Sequence, residues 1–314
     1  MRPLAIRLLA ALAMGAASLA PALPTPAAAQ SRPIFSQQKF AAISVDAATG
    51  QVLFAHEPDT IRHPASLAKL MTLYIVFDEL SAGRMKPSDR VVISPRAAAQ
   101  SPTKLGLAAG ETISLREAID AVAIRSANDI AVALAEHVSG TEARFATRMT
   151  RQGLGLGMRD TVFRNASGLP HPGQITTARD MAVLGRAILR DHPERYAVFG
   201  RTSFTHRGRT ITGHNRVTQR YPGADGLKTG YIRASGFNLI SSAVRDDRRV
   251  IAVVLGGPTG AARDAYMEEL LSSSFTVLAG RARGQKLDVA QFVSLPRFTD
   301  GEPRSAQPTA QGSN

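Results

Sequence analysis

Ser66 and Lys69 stand three residues apart at the start of an apolar segment that predicts a helix. This spacing places both side chains on one helical face, one turn apart and within hydrogen-bonding reach. A serine becomes a good nucleophile when a neighbouring base takes its proton, and a lysine is such a base when burial or a second cation lowers its pKa. The spacing alone leaves an alternative open, a serine near the helix start beside a solvent-exposed lysine.

Two further groups of residues favour the catalytic interpretation. Ser126 to Asn128 lie between two predicted helices and offer a hydroxyl and an amide, while Lys228 to Gly230 open a predicted strand and offer a cation and a hydroxyl. The triple S-x-x-K, S-D-N and K-T-G is typical of penicillin-binding proteins and class A β-lactamases. The sequence has all three in that order, with Ala127 in place of the middle aspartate.

At these residues the sequence resembles the serine DD-peptidases, specifically the low-molecular-mass D-alanyl-D-alanine carboxypeptidases. Ser126 to Glu136, Thr177 to Ala182 and Gly226 to Gly230 carry the likeness, which covers Phe35 to Leu278 in terms of fold. The resemblance implies an α/β (α+β) fold of the DD-peptidase and β-lactamase type, in which an antiparallel sheet with flanking helices receives an inserted helical subdomain. It also implies an enzyme that removes the terminal D-alanine from peptidoglycan stem pentapeptides without a cofactor, and that β-lactams inhibit covalently.

The resemblance assigns catalytic roles residue by residue. Ser66 attacks the carbonyl carbon between two D-alanines, Lys69 accepts the proton of Ser66, and Ser126 relays a proton to the leaving amine. Asn128 holds the substrate amide and helps to orient Lys69. Lys228 supplies positive potential that binds the terminal carboxylate and helps to keep Lys69 neutral.

The remaining implied residues bind substrate. Thr229 donates a hydrogen bond to the terminal carboxylate, and Gly230 lets the substrate lie against the strand edge as an added strand. The backbone N–H groups of Ser66 and Tyr231 form the oxyanion hole. Tyr231 is assigned by its position alone, because any residue type can donate a backbone N–H. Arg263 either faces the carboxylate or is an ordinary surface arginine on the last helix.

Composition limits the possible partners. The formal net charge is +13, and the chain has no cysteine, which excludes disulfides and thiolate metal sites. The basic residues are scattered without aromatic interleaving, so anionic cell-envelope polymers are expected in preference to nucleic acid, although a merely solubilising surface explains the charge equally well. His63, His171, His206 and His214 show no metal-ligand spacing, and we expect no metal.

The chain divides into three segments. Residues 1–29 have early arginines, an apolar run and three alanines before Gln30, which predicts a cleaved signal peptide. Residues 30–280 form the expected catalytic domain, and residues 281–314 a short, disordered C-terminal tail, which from Thr299 onward is rich in Gly, Pro, Ser and Gln. This tail is too short for the second domain and amphipathic anchor helix of many family members. We therefore expect a periplasmic or secreted enzyme without an integral membrane anchor.

Hydrophobic periodicity predicts strands at both ends of the chain and helices between them. Ser114 and Glu117 stand three apart as a capping box, and Leu70 to Leu80, which includes Asp78 and Glu79, is typical of a buried core helix. The predicted hairpins pair Ala41 to Val45 with Gln51 to Phe54, Thr202 to His206 with Thr210 to Gly213, and Gly236 to Val244 with Val250 to Leu255. The further predicted helices are Leu115 to Val122, Asp129 to His137, Glu142 to Gln152 (ended by Gly153, Gly155 and Gly157), Ala178 to Arg190 and Ala261 to Leu278.

Three rival functions share these residues. A DD-endopeptidase would use them to cut cross-links, and a catalytically silent sensor would bind muropeptides or β-lactams, although three intact motifs argue against the sensor. A class A β-lactamase needs a glutamate that activates the deacylating water. No glutamate occurs between Glu142 and Glu194, and Asp160 is the only acid there before the following helix. We expect slow hydrolysis of a penicilloyl adduct.

Overall fold

A computed structural model describes residues 33–299 of the chain. The expected signal peptide and residues 300–314 lie outside the described residues. The strands are β1 (Ile34–Phe35), β2 (Ala41–Asp46), β3 (Val52–His56), β4 (Arg90–Val92), β5 (Thr112–Ser114), β6 (Ser203–His206), β7 (Arg209–Thr212), β8 (Ala224–Ile232), β9 (Gly236–Arg245), β10 (Arg248–Gly257) and β11 (Arg297–Phe298). The helices are α1 (Lys69–Ser81), α2 (Pro95–Ala98), α3 (Leu115–Asp120), α4 (Asn128–Ser139), α5 (Glu142–Leu156), α6 (Ala178–Asp191), α7 (Pro193–Tyr196), α8 (Arg216–Arg220) and α9 (Gly260–Ala282).

A five-stranded antiparallel sheet in the order β3-β2-β10-β9-β8 forms the centre of the described chain. Its middle strand, β10, is buried over most of its length because α6 packs on one face and α9 on the other. Alternate residues serve the two faces: Ile251 and Val253 pack with the helical region, and Val250, Ala252 and Val254 pack under α9. Strands from both ends of the chain therefore share one sheet, as predicted.

The helical region between β3 and β6 packs around α1. All residues of α1 from Lys69 to Phe77 are buried, which confirms the predicted core helix. The capping box at the start of α3 is also present, with Ser114 accepting from the Glu117 amide and Glu117 accepting from the Ser114 amide. Within residues 33–299, no helix combines the length and the apolar character that crossing a membrane requires.

Four expectations need correction. The hairpin of β6 and β7, predicted as part of the antiparallel sheet, is present but forms a separate two-stranded sheet that pairs with no strand of the central sheet. Lys228 lies in the middle of β8 and does not open it. The tail expected from Arg281 is partly folded, since α9 continues to Ala282 and β11 pairs in parallel with β1.

The fourth correction concerns α5, which runs through Gly153 and Gly155 and ends at Gly157. Local glycine content favoured an earlier end, but Phe145 and Met149 are fully buried and hold the helix against the core. Gly157 takes the left-handed conformation (φ 96°) that closes a helix with least strain.

A pair of substitutions tests this helix end. Gly155→Ala should raise the free energy of unfolding by ~0.5–1 kcal/mol, because Gly155 is helical and a methyl group there meets nothing within 4 Å. Gly157→Ala should lower it by ~1–2 kcal/mol, because an L side chain is strained at that φ. Urea unfolding of both variants measures the difference, and equal effects would contradict the helix boundary.

Candidate active site

The nucleophile candidate lies on a tight turn. Ser66 belongs to a 3-10 turn, Ala65–Ala68, that leads directly into α1 at Lys69. Leu67 and Ala68 are fully buried and hold the turn against the core. Ser66 Oγ lies 3.1 Å from Lys69 Nζ, so the two side chains that the spacing brought together on one face are in hydrogen-bond contact.

Lys69 is completely buried, and its amine has two further partners. Nζ lies 2.7 Å from Oδ1 of Asn128 and also contacts the backbone carbonyl of Ser167. The Asn128 amide is oriented because its Nδ2 donates to the carbonyl of Ser101 at 2.8 Å. Both partners are pure acceptors, so a neutral amine donates one N–H to each and keeps its lone pair for the Ser66 hydroxyl proton.

The electrostatic environment favours this neutral form. Burial lowers the pKa of Lys69 well below its usual range, the charge of Lys228 lowers it further, and Asp129 partly opposes them. The Asp129 carboxylate is itself occupied by the amides of Leu105 and Gly106, at 3.0 and 2.8 Å. Burial and the neighbouring Arg263 lower the pKa of Lys228 to about 7.

Ser126 presents a hydroxyl that the protein leaves unused. It follows a single π-helical turn, Ala121–Arg125, and takes a left-handed conformation with φ 66°. Its Oγ is buried and has no hydrogen-bond partner within residues 33–299. Both Ser126 and Ser66 line one cleft of about 590 Å³, so the free hydroxyl is available to a bound molecule.

One wall of this cleft is the open edge of the central sheet. Strand β8 pairs only with β9 among the described strands, and Thr229, Gly230 and Tyr231 line the cleft. A Cβ atom at Gly230 would lie 3.0 Å from the backbone nitrogen of Ser66, so a side chain there would crowd the nucleophile. The edge therefore has room for an extended peptide beside Ser66.

The end of the cleft near α9 is positively charged. Arg263 lines it and is only 4% exposed, so the surface-arginine alternative is wrong. Its Nη1 donates to the carbonyl of Asn238 at 2.8 Å and its Nε to Asp264 at 2.9 Å. Asp264 also accepts from Arg216 at 3.1 Å, and the first residue of α9, Gly260, faces the same space. Two guanidinium groups and a helix N-terminus favour an anion here.

Sequence reasoning missed several of these groups. Arg216 and His214 line the cleft, but neither belongs to a motif. Ser167 contributes a backbone carbonyl, which residue type does not reveal. Glu142 is almost fully buried and fixes the neighbouring peptide by accepting from the Ala166 amide at 3.1 Å. For the loop that carries the Ser167 carbonyl, the only signal in the sequence was the Ser-Gly pair after Asn165, which predicts a turn.

The Ser167 carbonyl is held in place through the preceding residue, Ala166, which is hydrogen-bonded at both its amide and its carbonyl. The Ala166 amide donates to Glu142, and its carbonyl accepts from the Thr72 hydroxyl at 2.8 Å. Arg96 fixes the other oxygen of Glu142 at 2.6 Å. Glu142 is thus a positioning residue for the loop that contacts Lys69.

A candidate nucleophile on a turn at an open sheet edge, beside an inserted helical region, is the arrangement expected of the penicillin-binding DD-peptidase fold. The profile of the D-alanyl-D-alanine carboxypeptidase family matches residues 27–259. The chain is 38% identical over 276 residues to D-alanyl-D-alanine carboxypeptidase DacC of Escherichia coli, which covers 85% of this chain and 69% of that protein. The chain therefore belongs to the D-alanyl-D-alanine carboxypeptidase family.

Solved structures agree with this assignment. Penicillin-binding protein 5 from Haemophilus influenzae is 33% identical, with a TM-score of 0.73, over 78% of this chain and 72% of that one. A Listeria monocytogenes penicillin-binding protein in its cefotaxime bound form is 28% identical, with a TM-score of 0.70, over 78% of this chain and 100% of that one. The chain spans 66% and 61% of the curated relatives DacD of Escherichia coli and DacF of Bacillus subtilis.

Replacing Lys228 by methionine should raise the free energy of unfolding and lower the acylation rate. The lowered pKa means that the buried charge destabilises the folded state fully below pH 7, and that this cost is relieved as the pH rises from about 7 toward the usual 10.5. Lys228→Met should therefore stabilise the protein more at pH 6 than at pH 10, while penicillin acylation falls by ~10²–10³.

Urea unfolding at the two pH values measures the first effect. Lys86→Met, at an exposed lysine, is the matched control and should show no such pH dependence. An equal stability change of Lys228→Met at both pH values would contradict a charged, buried Lys228.

A second prediction concerns Glu142. Glu142→Ala should slow acylation by ~10-fold or more, because the Ser167 carbonyl loses its fixed position against Lys69. Glu142→Gln should recover most of the rate, since its amide oxygen still accepts from Ala166. Stopped-flow acylation by a fluorescent penicillin measures both variants, with the exposed Glu194→Ala as control. Equal losses in both Glu142 variants would rule out positioning through this hydrogen bond.

Proposed function

We propose that the protein is a serine D-alanyl-D-alanine carboxypeptidase that removes the terminal D-alanine from peptidoglycan stem pentapeptides. The observation that carries the proposal is the environment of Lys69. Its buried amine contacts Asn128 Oδ1, the Ser167 carbonyl and Ser66 Oγ, an arrangement suited to a neutral base beside a nucleophile. An ordinary structural lysine would expose its charge to solvent.

Acylation follows from these contacts. Ser66 Oγ attacks the carbonyl carbon between the two D-alanines while Lys69 takes its proton. The backbone N–H groups of Ser66 and Tyr231 stabilise the negative oxygen that develops. Ser126, whose hydroxyl has no partner among residues 33–299, carries a proton to the leaving amine. The C–N bond breaks and an ester on Ser66 remains.

Substrate recognition uses the sheet edge and the positive end of the cleft. The peptide adds to β8 as an extended strand, with Asn128 holding its amide and Gly230 allowing close approach. Its terminal carboxylate lies among Lys228, Thr229 and Arg263. Arg216 adds a second guanidinium group that shares Asp264 with Arg263.

Water completes the cycle by hydrolysing the ester. No aspartate or glutamate lines the cleft within residues 33–299, so water activation falls to Lys69 and Ser126. Asp160 does not line the cleft, and its backbone amide donates to Asp180 at 2.9 Å. A penicilloyl ester, whose bulk obstructs water, should then persist, and the protein should be a β-lactam target. The cefotaxime bound form of the Listeria relative supports this expectation.

We also infer that the protein acts outside the cytoplasm, after export by the segment expected over residues 1–29. Its substrate is an envelope polymer, and a net charge of +13 favours association with anionic surfaces.

The proposed activity is tested by two measurements on the same preparation. Synthetic stem pentapeptide should yield free D-alanine, and benzylpenicillin should give a long-lived adduct on the peptide that contains Ser66. Ser66→Ala should lose both. Rapid multiple turnover of penicillin without D-alanine release would indicate a β-lactamase, and a stable adduct without any peptide hydrolysis would indicate a sensor.

A further inference from the structure

His214 lies in the catalytic cleft but belongs to none of the three motifs. It lines the cleft together with Arg216, Thr229 and Arg263. An imidazole differs from the neighbouring guanidinium groups because its charge can appear and disappear between pH 5 and pH 8. The mechanism described above assigns this side chain no role.

The chain at His214 is fixed by the residues on either side of it. Gly213 packs so closely on the π-helical turn that a Cβ atom there would lie 3.0 Å from the carbonyl oxygen of Ile124. On the other side, the side chain of Asn215 caps the start of α8. His214 is therefore held beside the turn that leads into Ser126, at a fixed place in the cleft wall.

The contact between His214 and Arg125 depends on the charge of the ring. Nε2 of His214 lies 3.5 Å from Nη1 of Arg125. A guanidinium group has donors only, so Nε2 can accept this contact only while it carries no proton. A protonated ring would turn N–H groups toward N–H groups, and it would need an anion as its new partner.

The charges around His214 are mostly positive. The charged groups on the surrounding elements are Arg125 on the π-helical turn, Lys228 on β8, Arg216 on α8, Arg263 and Asp264 on α9, Arg209 on β7, and Lys104 beside the cleft wall at Thr103. Partial burial lowers the pKa of His214 below its usual value, and the charges of Lys228 and Arg125 lower it further. Asp264 offers little compensation, because it already accepts from both Arg216 and Arg263.

A bound carboxylate would reverse this balance. Under the proposed function, the terminal carboxylate of the peptide lies among Lys228, Thr229 and Arg263. Its negative charge offsets the cations that keep His214 uncharged, so the ring takes up a proton more readily in the complex. Because such coupling is reciprocal, a protonated ring must in turn bind the carboxylate more tightly by the same factor.

We propose that His214 is a proton-dependent binding residue for the substrate carboxylate, and that its imidazole takes up a proton from solvent when the anion enters the cleft. This inference rests on the proposed function, which supplies the identity of the anion. No covalent bond changes in this step. The affinity for the peptide should then rise as the solution becomes more acidic, separately from the rate of acylation.

Equilibrium binding to the Ser66→Ala protein measures this affinity without turnover. Calorimetry between pH 5 and pH 8 gives the dissociation constant of a synthetic pentapeptide that ends in D-alanyl-D-alanine. Lys228 also titrates in this range, so each value is compared with that of His214→Gln in the same background. The loss of affinity caused by His214→Gln should grow about tenfold from pH 8 to pH 5, which corresponds to a rise of about one unit in the pKa of the ring.

Two controls separate the carboxylate from other effects. The same peptide with a C-terminal amide lacks the carboxylate, and with it the effect of His214→Gln should not grow toward acidic pH. His137→Gln removes an exposed histidine outside the cleft and should leave the pH dependence of acid binding unchanged. His214→Lys supplies a permanent charge, and it should bind the peptide acid more tightly than His214→Gln at pH 8.

Proton NMR follows the ring itself in the Ser66→Ala protein. The His214 signal is identified by its loss in His214→Gln, and its pKa should rise by about one unit with saturating peptide acid and stay unchanged with the peptide amide. A merely structural histidine would show no such difference between the two ligands.

The remaining outcomes would overturn the proposal. These are a His214→Gln effect of equal size at pH 5 and pH 8, an equal growth of that effect with the peptide amide, a ring pKa that the peptide acid does not move, or no binding of the peptide acid at any pH. Release of D-alanine by the protein with Ser66 intact would show in each case that the carboxypeptidase assignment survives, and its absence would overturn that assignment as well.

Discussion

In the proposed mechanism the amine of Lys69 is uncharged inside the protein, and much of the described architecture favours that state. Burial beneath the turn that carries Ser66 removes water, and Lys228 adds a repelling charge. The two acceptors, Asn128 and Ser167, come from different segments and meet only in the fold. A protonated Lys69 would hold the same contacts but would have no lone pair for Ser66, and the nucleophile would stay inactive.

The same proposal requires the opposite of Lys228, which would attract the carboxylate only while its amine is charged. Both lysines are buried: the charge of Lys228 adds to burial in lowering the pKa of Lys69, while burial and Arg263 lower the pKa of Lys228 to about 7. Near pH 7, Lys228 keeps part of its charge. A bound carboxylate would restore the rest. Two residues of one type thus take different roles because their neighbours differ, a recurring way to obtain base and electrostatic chemistry in one site.

Local patterns in the sequence were informative wherever a few neighbouring residues determine the outcome. The pairing of Ser66 with Lys69 and the capping box at Ser114 depend only on helical spacing, and alternation predicted four strands of the central sheet, β2, β3, β9 and β10. Local patterns could not show which sheet the β6–β7 hairpin joins, because alternation specifies buried faces and not strand partners. They also ended α5 too early, since distant packing of Phe145 outweighs the low helix propensity of glycine.

The groups that sequence reasoning missed act through distant segments or through the backbone. Asp264 joins Arg263 to Arg216, a residue 47 positions earlier in the chain, and no local spacing indicates that contact. Glu142 acts on the Ala166 amide, and Ser167 through its carbonyl, an atom that every residue has. Such contacts follow from the three-dimensional packing, whereas side-chain motifs can be recognised beforehand.

The open edge of β8 has a consequence for the behaviour of the protein in concentrated solution. An unpaired strand edge is a general hazard, because a strand from another molecule can extend the sheet and begin aggregation. Here the edge lies in a cleft between the turn that carries Ser66 and the segment at Pro102. These walls restrict access to the edge, so that a short, flexible peptide can reach it more easily than the edge strand of a second folded domain. The geometry proposed to admit substrate therefore also disfavours self-association through this edge.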